Sequence, residues 1–62
     1  MLSVSMQDIA QLGDVIHRDA ETESQALRQA RKEYIRCDFM VVGVFDYATN
    51  NIDFNEIIEF KN

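Results

Sequence analysis

The chain has 62 residues, of which 47% are apolar and 27% are charged, and its formal net charge is −5. This composition is typical of a folded protein and excludes the intrinsically disordered class. A chain this short buries only about 60% of the surface that its unfolded form exposes. We therefore expect a single domain over residues 1–62, with one helix packed on one sheet.

The cysteine content and the N-terminus indicate a cytoplasmic protein. Cys37 is the single cysteine, so an intrachain disulfide cannot form. The opening residues, MLSVSMQDIA, have no basic region before an apolar run, and no stretch of the chain approaches the ~20 apolar residues of a membrane span. We expect a reducing environment and no contact with a membrane.

The first twenty residues allow two interpretations. Leu2, Val4 and Met6 alternate with polar residues as in a strand, and QLGD at 11–14 can turn the chain into a second strand, DVIHRDA. A helix is also open, because Ser5 and Asp8 resemble a helix cap and apolar residues follow at a spacing of three to four. We favour the strands, which gives the element order ββαββ.

The clearest element is a helix that begins after Thr22. Thr22 and Gln25 match the capping box, in which the two side chains satisfy free amides of the first turn. Apolar residues then recur at helical spacing, and basic residues occupy the opposite side. The apolar stripe consists of Ala26, Leu27, Ala30 and Tyr34, with Ile35 beside it. The sequence therefore predicts an amphipathic helix that packs on the sheet.

The segment FMVVGVFDYATNNIDFNEIIEF predicts a β-hairpin. A two-residue turn at Asn50 and Asn51 pairs positions whose numbers sum to 101. In that register Gly43 lies opposite Ile58 and leaves room for the helix. One face then carries every aromatic residue of the hairpin. The residues on this face are Phe39, Val41, Gly43, Phe45, Tyr47, Ile52, Phe54, Glu56, Ile58 and Phe60. We expect an α+β fold in which the helix covers this aromatic face of an antiparallel sheet.

The run AETESQALRQA, from Ala20 to Ala30, resembles a known kind of protein. It joins the end of a strand, written Ala-acid-Thr, to a short helix written Ala-Leu-x-x-Ala. The pattern is similar to that of small phage-encoded inhibitors of the anti-CRISPR kind. The resemblance implies a compact, acidic protein without catalytic residues, and it assigns a function to none of the residues that carry it.

Candidate catalytic and metal-binding residues do not form a recognisable site. His17 and Cys37 are the possible base and nucleophile, but such a pair also needs a third, orienting group. The oxygen-bearing side chains near the turn lack the spacing of a calcium loop. They are Asp46, Asn50, Asn51 and Asp53. We expect no catalytic residue, no cofactor and no metal.

The basic side of the helix does not predict nucleic-acid binding. Residues 28 to 36 carry four basic residues and one acid, so the rest of the chain has a net charge of −8. Such a body attracts phosphates only weakly at physiological salt. The aromatic residues that could stack on bases are assigned to the core. We interpret Arg28, Lys32 and Arg36 as a solvated helix face.

The second face of the hairpin is the predicted partner-binding surface. Aliphatic residues with an acidic rim are typical of an interaction patch, unless the N-terminal segment covers them. The predicted contact residues are Met40, Val42, Val44, Asp46, Asp53, Ile57 and Glu59, with Lys61 also at the rim.

The resulting hypothesis is a non-enzymatic module that binds a protein with a basic surface. With the resemblance, it becomes a phage inhibitor in the host cytoplasm that occupies a nucleic-acid-binding surface of a defence complex. A structural homo-oligomer, such as a homodimer formed through the same face, is the alternative, and a small enzyme or metal protein is the third.

Overall fold

The computed structural model describes residues 1–10 and 13–54. The elements are β1 (Leu2–Asp8), β2 (Ile16–Ala20), α1 (Glu23–Glu33), β3 (Phe39–Asp46) and β4 (Asn51–Phe54). The four strands form one antiparallel sheet in the order β2-β1-β3-β4. The predicted α+β fold and the ββαββ order are confirmed, and the alternative N-terminal helix is wrong.

Helix α1 starts where the capping box predicts. The Thr22 hydroxyl accepts a hydrogen bond from the Gln25 amide at 3.1 Å, and the Gln25 side chain accepts one from the Glu21 amide at 3.0 Å. Within the described part of the chain, no helix combines the length and apolar character that crossing a bilayer requires.

The hydrophobic core lies between α1 and one face of the sheet, which we call the helix side. Ala26 and Ala30 are fully buried, and their small side chains let the helix approach the strands closely. On the sheet, the core consists of Val4, Met6, Ala20 and Phe39, with Leu2, Ile16 and Val41 partly buried around them. The alternation of Leu2, Val4 and Met6 therefore marks the helix side of β1, as the strand interpretation predicts.

A β-bulge divides β3 into two halves. Ser5 pairs with Gly43, but the next residue of β1, Met6, pairs with Val41, so Val42 is an extra residue without a partner on β1. Residues that pair directly across two strands share a face of the sheet. Gly43 and Val41 therefore lie on opposite faces, although they are two positions apart.

The bulge overturns the predicted aromatic face. Val41 packs against the core under the helix, whereas Gly43 and Phe45 lie on the other face, which we call the open face. Of the aromatic residues that the structure describes in the hairpin, Phe39 alone belongs to the core cluster. The prediction that α1 covers Phe45, Tyr47 and Phe54 is wrong.

The predicted hairpin register is also wrong. Asp46 pairs with Asn51 and Phe45 pairs with Ile52, so paired positions sum to 97 and the loop has four residues, 47–50. The Asp46 carboxylate accepts a hydrogen bond from the Ala48 amide at 2.9 Å, which closes a turn earlier than predicted. Asn50 adopts a positive φ of 56°, as expected for an asparagine in this loop. The predicted partner of Gly43, Ile58, lies outside the described residues.

Candidate functional site

The open face presents two rows of side chains that cross the sheet from β2 to β4. The strand pairings give the first row as His17, Ser5, Gly43 and Phe54, and the second as Asp19, Ser3, Phe45 and Ile52. Tyr47 lies beside the second row, because its ring contacts the ring of Phe45 and its hydroxyl donates to an Asp19 oxygen at 3.4 Å. Polar residues thus occupy the β2–β1 half of the face, and apolar residues occupy the β3–β4 half.

Gly43 allows Phe54 to lie against the sheet. A Cβ atom at position 43 would be only 3.1 Å from Cδ1 of Phe54 and 3.5 Å from its Cε1. The ring therefore covers the backbone of β3 at the position where a side chain is missing, an arrangement that also shields a glycine in a strand. One side of the ring contacts the sheet, and 72% of the residue's surface remains exposed.

Tyr47 is held in place by three contacts. Its ring meets the ring of Phe45 edge to face, with the centroids 5.1 Å apart and an interplanar angle of 88°. Its amide donates to the Met1 carbonyl at 3.2 Å, which fixes the backbone at the end of β3. Together with the bond to Asp19, these contacts connect the loop to β3, to β2 and to Met1, the residue before β1. Tyr47 is thus an ordered, amphipathic group on the surface.

The apolar half of the open face is exposed to solvent. Tyr47 and Ile52 expose 52% and 58% of their surface, and Phe54 exposes still more. Large apolar side chains gathered on one surface typically mark an interaction site, whereas isolated ones need no explanation.

The basic residues of α1 and β2 lie on the helix side of the sheet, together with several acidic residues. Arg28, Arg31 and Lys32 belong to α1, and Arg18 shares the helix side with Val4, where it forms an ion pair with Glu33 at 2.7 Å. The two rows of the open face include Asp19 and no lysine or arginine. The open face therefore complements a positive surface better than a negative one.

The predicted partner-binding residues do not form one surface. Met40 pairs with Gln7 and lies on the open face, whereas Val44 pairs with Val4 on the helix side. Asp46 and Asp53 share that side through their pairings with Leu2 and Val44. Val42, the bulge residue, is 1% exposed. Ile57, Glu59 and Lys61 lie outside the described residues. The assumption of a single helix-free aliphatic patch is wrong, and a binding role for these residues stays a prediction.

His17 and Cys37 do not meet. His17 lies on the open face, whereas Cys37 packs against the core cluster on the helix side. Burial, and then a hydrogen bond with Asp8, raise the pKa of the Cys37 thiol above its ordinary value. A raised pKa reduces the thiolate fraction at neutral pH, and thiolate is the reactive form. This geometry gives Cys37 no general base in His17.

The structure instead brings His17 to Ser5, a contact that our sequence interpretation missed. The Ser5 Oγ atom lies 2.8 Å from Nδ1 of His17. The sequence alone gives no sufficient signal for it, because Ser5 and His17 are brought together by the register of β1 and β2. A serine nucleophile also needs a group that orients the histidine and donors for an oxyanion. Among the residues that the structure describes, His17 forms one side-chain hydrogen bond, to Ser5, and the pair lies across the edge strand β2 and its neighbour β1.

The described residues near the hairpin turn show no metal-binding geometry. The Asp46 carboxylate is engaged with the Ala48 amide. Across residues 1–10 and 13–54, no group of three or more histidine, cysteine, aspartate or glutamate side chains is arranged to hold a metal ion.

In comparisons with known proteins, no family model, no curated protein and no solved structure matches the chain.

Proposed function

We propose that the chain is a non-enzymatic protein-binding module that docks a partner with a basic surface on its open face. The observation that carries this proposal is the exposure of Tyr47, Ile52 and Phe54 on the face that α1 does not cover. Aromatic side chains at the centre of an interface contribute most to binding, since they bury a large area with few rotatable bonds.

The charge distribution supports the choice of partner. Asp19 lies on the open face, the nearby helix-side positions Asp46 and Asp53 border its apolar half, and the basic residues of α1 are on the far side of the sheet. A positive surface that approaches the open face meets Asp19 and is separated by the sheet from the basic residues of α1, which favours encounter and orientation.

The test compares two isoleucine variants of the full chain. Ile52→Lys places a charge in the apolar half of the open face, whereas Ile35→Lys places the same charge in the turn after α1, at a residue that is 83% exposed. Each protein is immobilised, and the host proteins that it retains are quantified by mass spectrometry. We expect wild type and Ile35→Lys to retain the same protein with a basic surface, and Ile52→Lys to lose it.

Circular dichroism provides the check on folding. Both isoleucines are exposed, so neither substitution should lower the melting temperature by more than a few degrees. A partner that Ile52→Lys retains as well as wild type would place the functional surface elsewhere.

A homodimer formed through the open face is the second candidate, because the same exposed residues could pair with those of a second copy. Light scattering after size exclusion distinguishes the two. A wild-type mass of 7.2 kDa supports binding to a different protein, whereas a doubled mass that Ile52→Lys abolishes supports the homodimer.

The more specific proposal is a phage inhibitor of the anti-CRISPR kind that acts in the host cytoplasm. It is supported by the resemblance of residues 20–30 and by the acidic character of the chain. The experiment measures DNA binding by purified CRISPR effector complexes in the presence of the protein. Competition by wild type and Ile35→Lys, but not by Ile52→Lys, supports the inhibitor. Unchanged DNA binding removes it and leaves the broader proposal in place.

A further inference from the structure

Strand β2 forms one edge of the sheet. The hydrogen bonds along the neighbouring strand, β1, identify which backbone amides and carbonyls of β2 point away from the sheet. The Tyr47 amide donates to the Met1 carbonyl, and the Ile9 amide donates to the Asp38 carbonyl. In an antiparallel sheet, successive residues of a central strand bond to alternate neighbours. The odd-numbered residues of β1 therefore bond towards β3, and the even-numbered ones bond towards β2.

The same alternation assigns the groups of β2. Arg18 and Ala20 pair with the even-numbered Val4 and Leu2, so their backbone groups point inward to β1. The amides and carbonyls of His17 and Asp19 then point away from the sheet. Such outward groups form a template on which another strand can add.

The Arg18 side chain forms a hydrogen bond with one of these outward groups, the carbonyl of His17. Its Nη1 atom donates to the His17 carbonyl at 2.7 Å, and its Nε atom donates to Oε2 of Glu33 at 2.7 Å. The guanidinium group therefore bridges the edge of the sheet and the C-terminal end of α1. Its planar shape suits this double contact, because its donors point in fixed directions.

We propose that Arg18, positioned by Glu33, is a plug that closes the β2 edge against strand addition by a second copy of this chain. Two copies of β2 that paired antiparallel about Arg18 would place His17 of each opposite Asp19 of the other, using all the outward groups. That pairing needs the His17 carbonyl, which Arg18 occupies, and it brings the two Arg18 side chains face to face. Like charges directly opposite each other destabilise a strand pair.

The experiment replaces the plug and measures association. Arg18→Met keeps most of the aliphatic stem and removes the donors, and Arg28→Met on α1 is the matched control. We expect Arg18→Met to show a doubled mass by light scattering, with slowed hydrogen exchange at the amides of His17 and Asp19. Wild type and Arg28→Met should remain monomeric with fast exchange at both amides.

Three outcomes overturn the plug: a folded Arg18→Met that stays monomeric, a dimer in which both amides still exchange fast, and a wild-type chain already paired at these amides. Should Arg18→Met fail to fold, the wild-type chain decides by NMR. A plug predicts that the Arg18 Nε proton exchanges more slowly than that of Arg28, and equal rates overturn it. The β2 edge and the apolar half of the open face are separate surfaces, so Ile52→Lys should not change any of these results.

Discussion

At the scale of single residues, the core of this domain depends on few side chains. Met6, Val4 and Val42 are the largest fully buried side chains in the described part of the chain. The helix contributes two alanines to the core, so most of the buried volume comes from the sheet. A domain of this size rarely gains more than about 3–5 kcal/mol from its core.

Met6→Ala should therefore bring the domain close to unfolding. Truncation of a fully buried methionine costs about 2–5 kcal/mol, since it removes buried methylene groups and leaves a cavity. Met40→Ala is the matched control, because Met40 is half-buried on the opposite face. Urea denaturation followed by circular dichroism measures both variants. Equal midpoints for Met6→Ala and Met40→Ala would contradict the position of the core.

At the scale of the elements, sequence reasoning succeeded where a signal is local. The capping box gives the start of α1, and the alternation of Leu2, Val4 and Met6 gives both the type of β1 and its buried face. These patterns depend on residues within one or two turns or along one strand, so neighbouring elements do not change them.

The faces of β3 and the contacts between strands were not predictable in this way. FMVVGVF is almost continuously apolar, and such a run gives no phase from which an extra residue at Val42 could be recognised. YATNN contains several residues that suit turns, so it fits loops of more than one length. The Ser5–His17 contact depends on the register of β1 and β2, which is not fixed by either strand alone.

The N-terminal cap of α1 gives a test at this scale. Thr22→Ala removes the hydroxyl that accepts from the Gln25 amide and should lower the free energy of unfolding by about 1 kcal/mol. Ser24→Ala, two residues later in the first turn, replaces an exposed helical residue and should have little effect. Thermal denaturation compares the two variants. A larger loss for Ser24→Ala than for Thr22→Ala would show that the cap lies elsewhere.

At the scale of the whole molecule, the confinement of basic residues to the helix side should control association with the proposed partner. Asp19→Lys and Glu23→Lys change the net charge equally, but Asp19 lies on the open face and Glu23 lies in the first turn of α1. We expect Asp19→Lys to slow association and to weaken its dependence on salt, because charges around an interface steer the encounter. Glu23→Lys should change both less. Association rates measured at several salt concentrations with the captured partner test this, and equal rates for the two variants exclude steering by the open face.

The bulge at Val42 also has a consequence for how this chain should be compared with relatives. The two halves of β3 are out of step by one residue, so odd positions face the helix before the bulge and even positions face it afterwards. A homologue with a regular strand would align correctly only across a one-residue gap at position 42. An ungapped alignment would match core positions of one protein with surface positions of the other along half of the strand. Gain or loss of a single codon is thus enough to exchange the interior and exterior of half a strand.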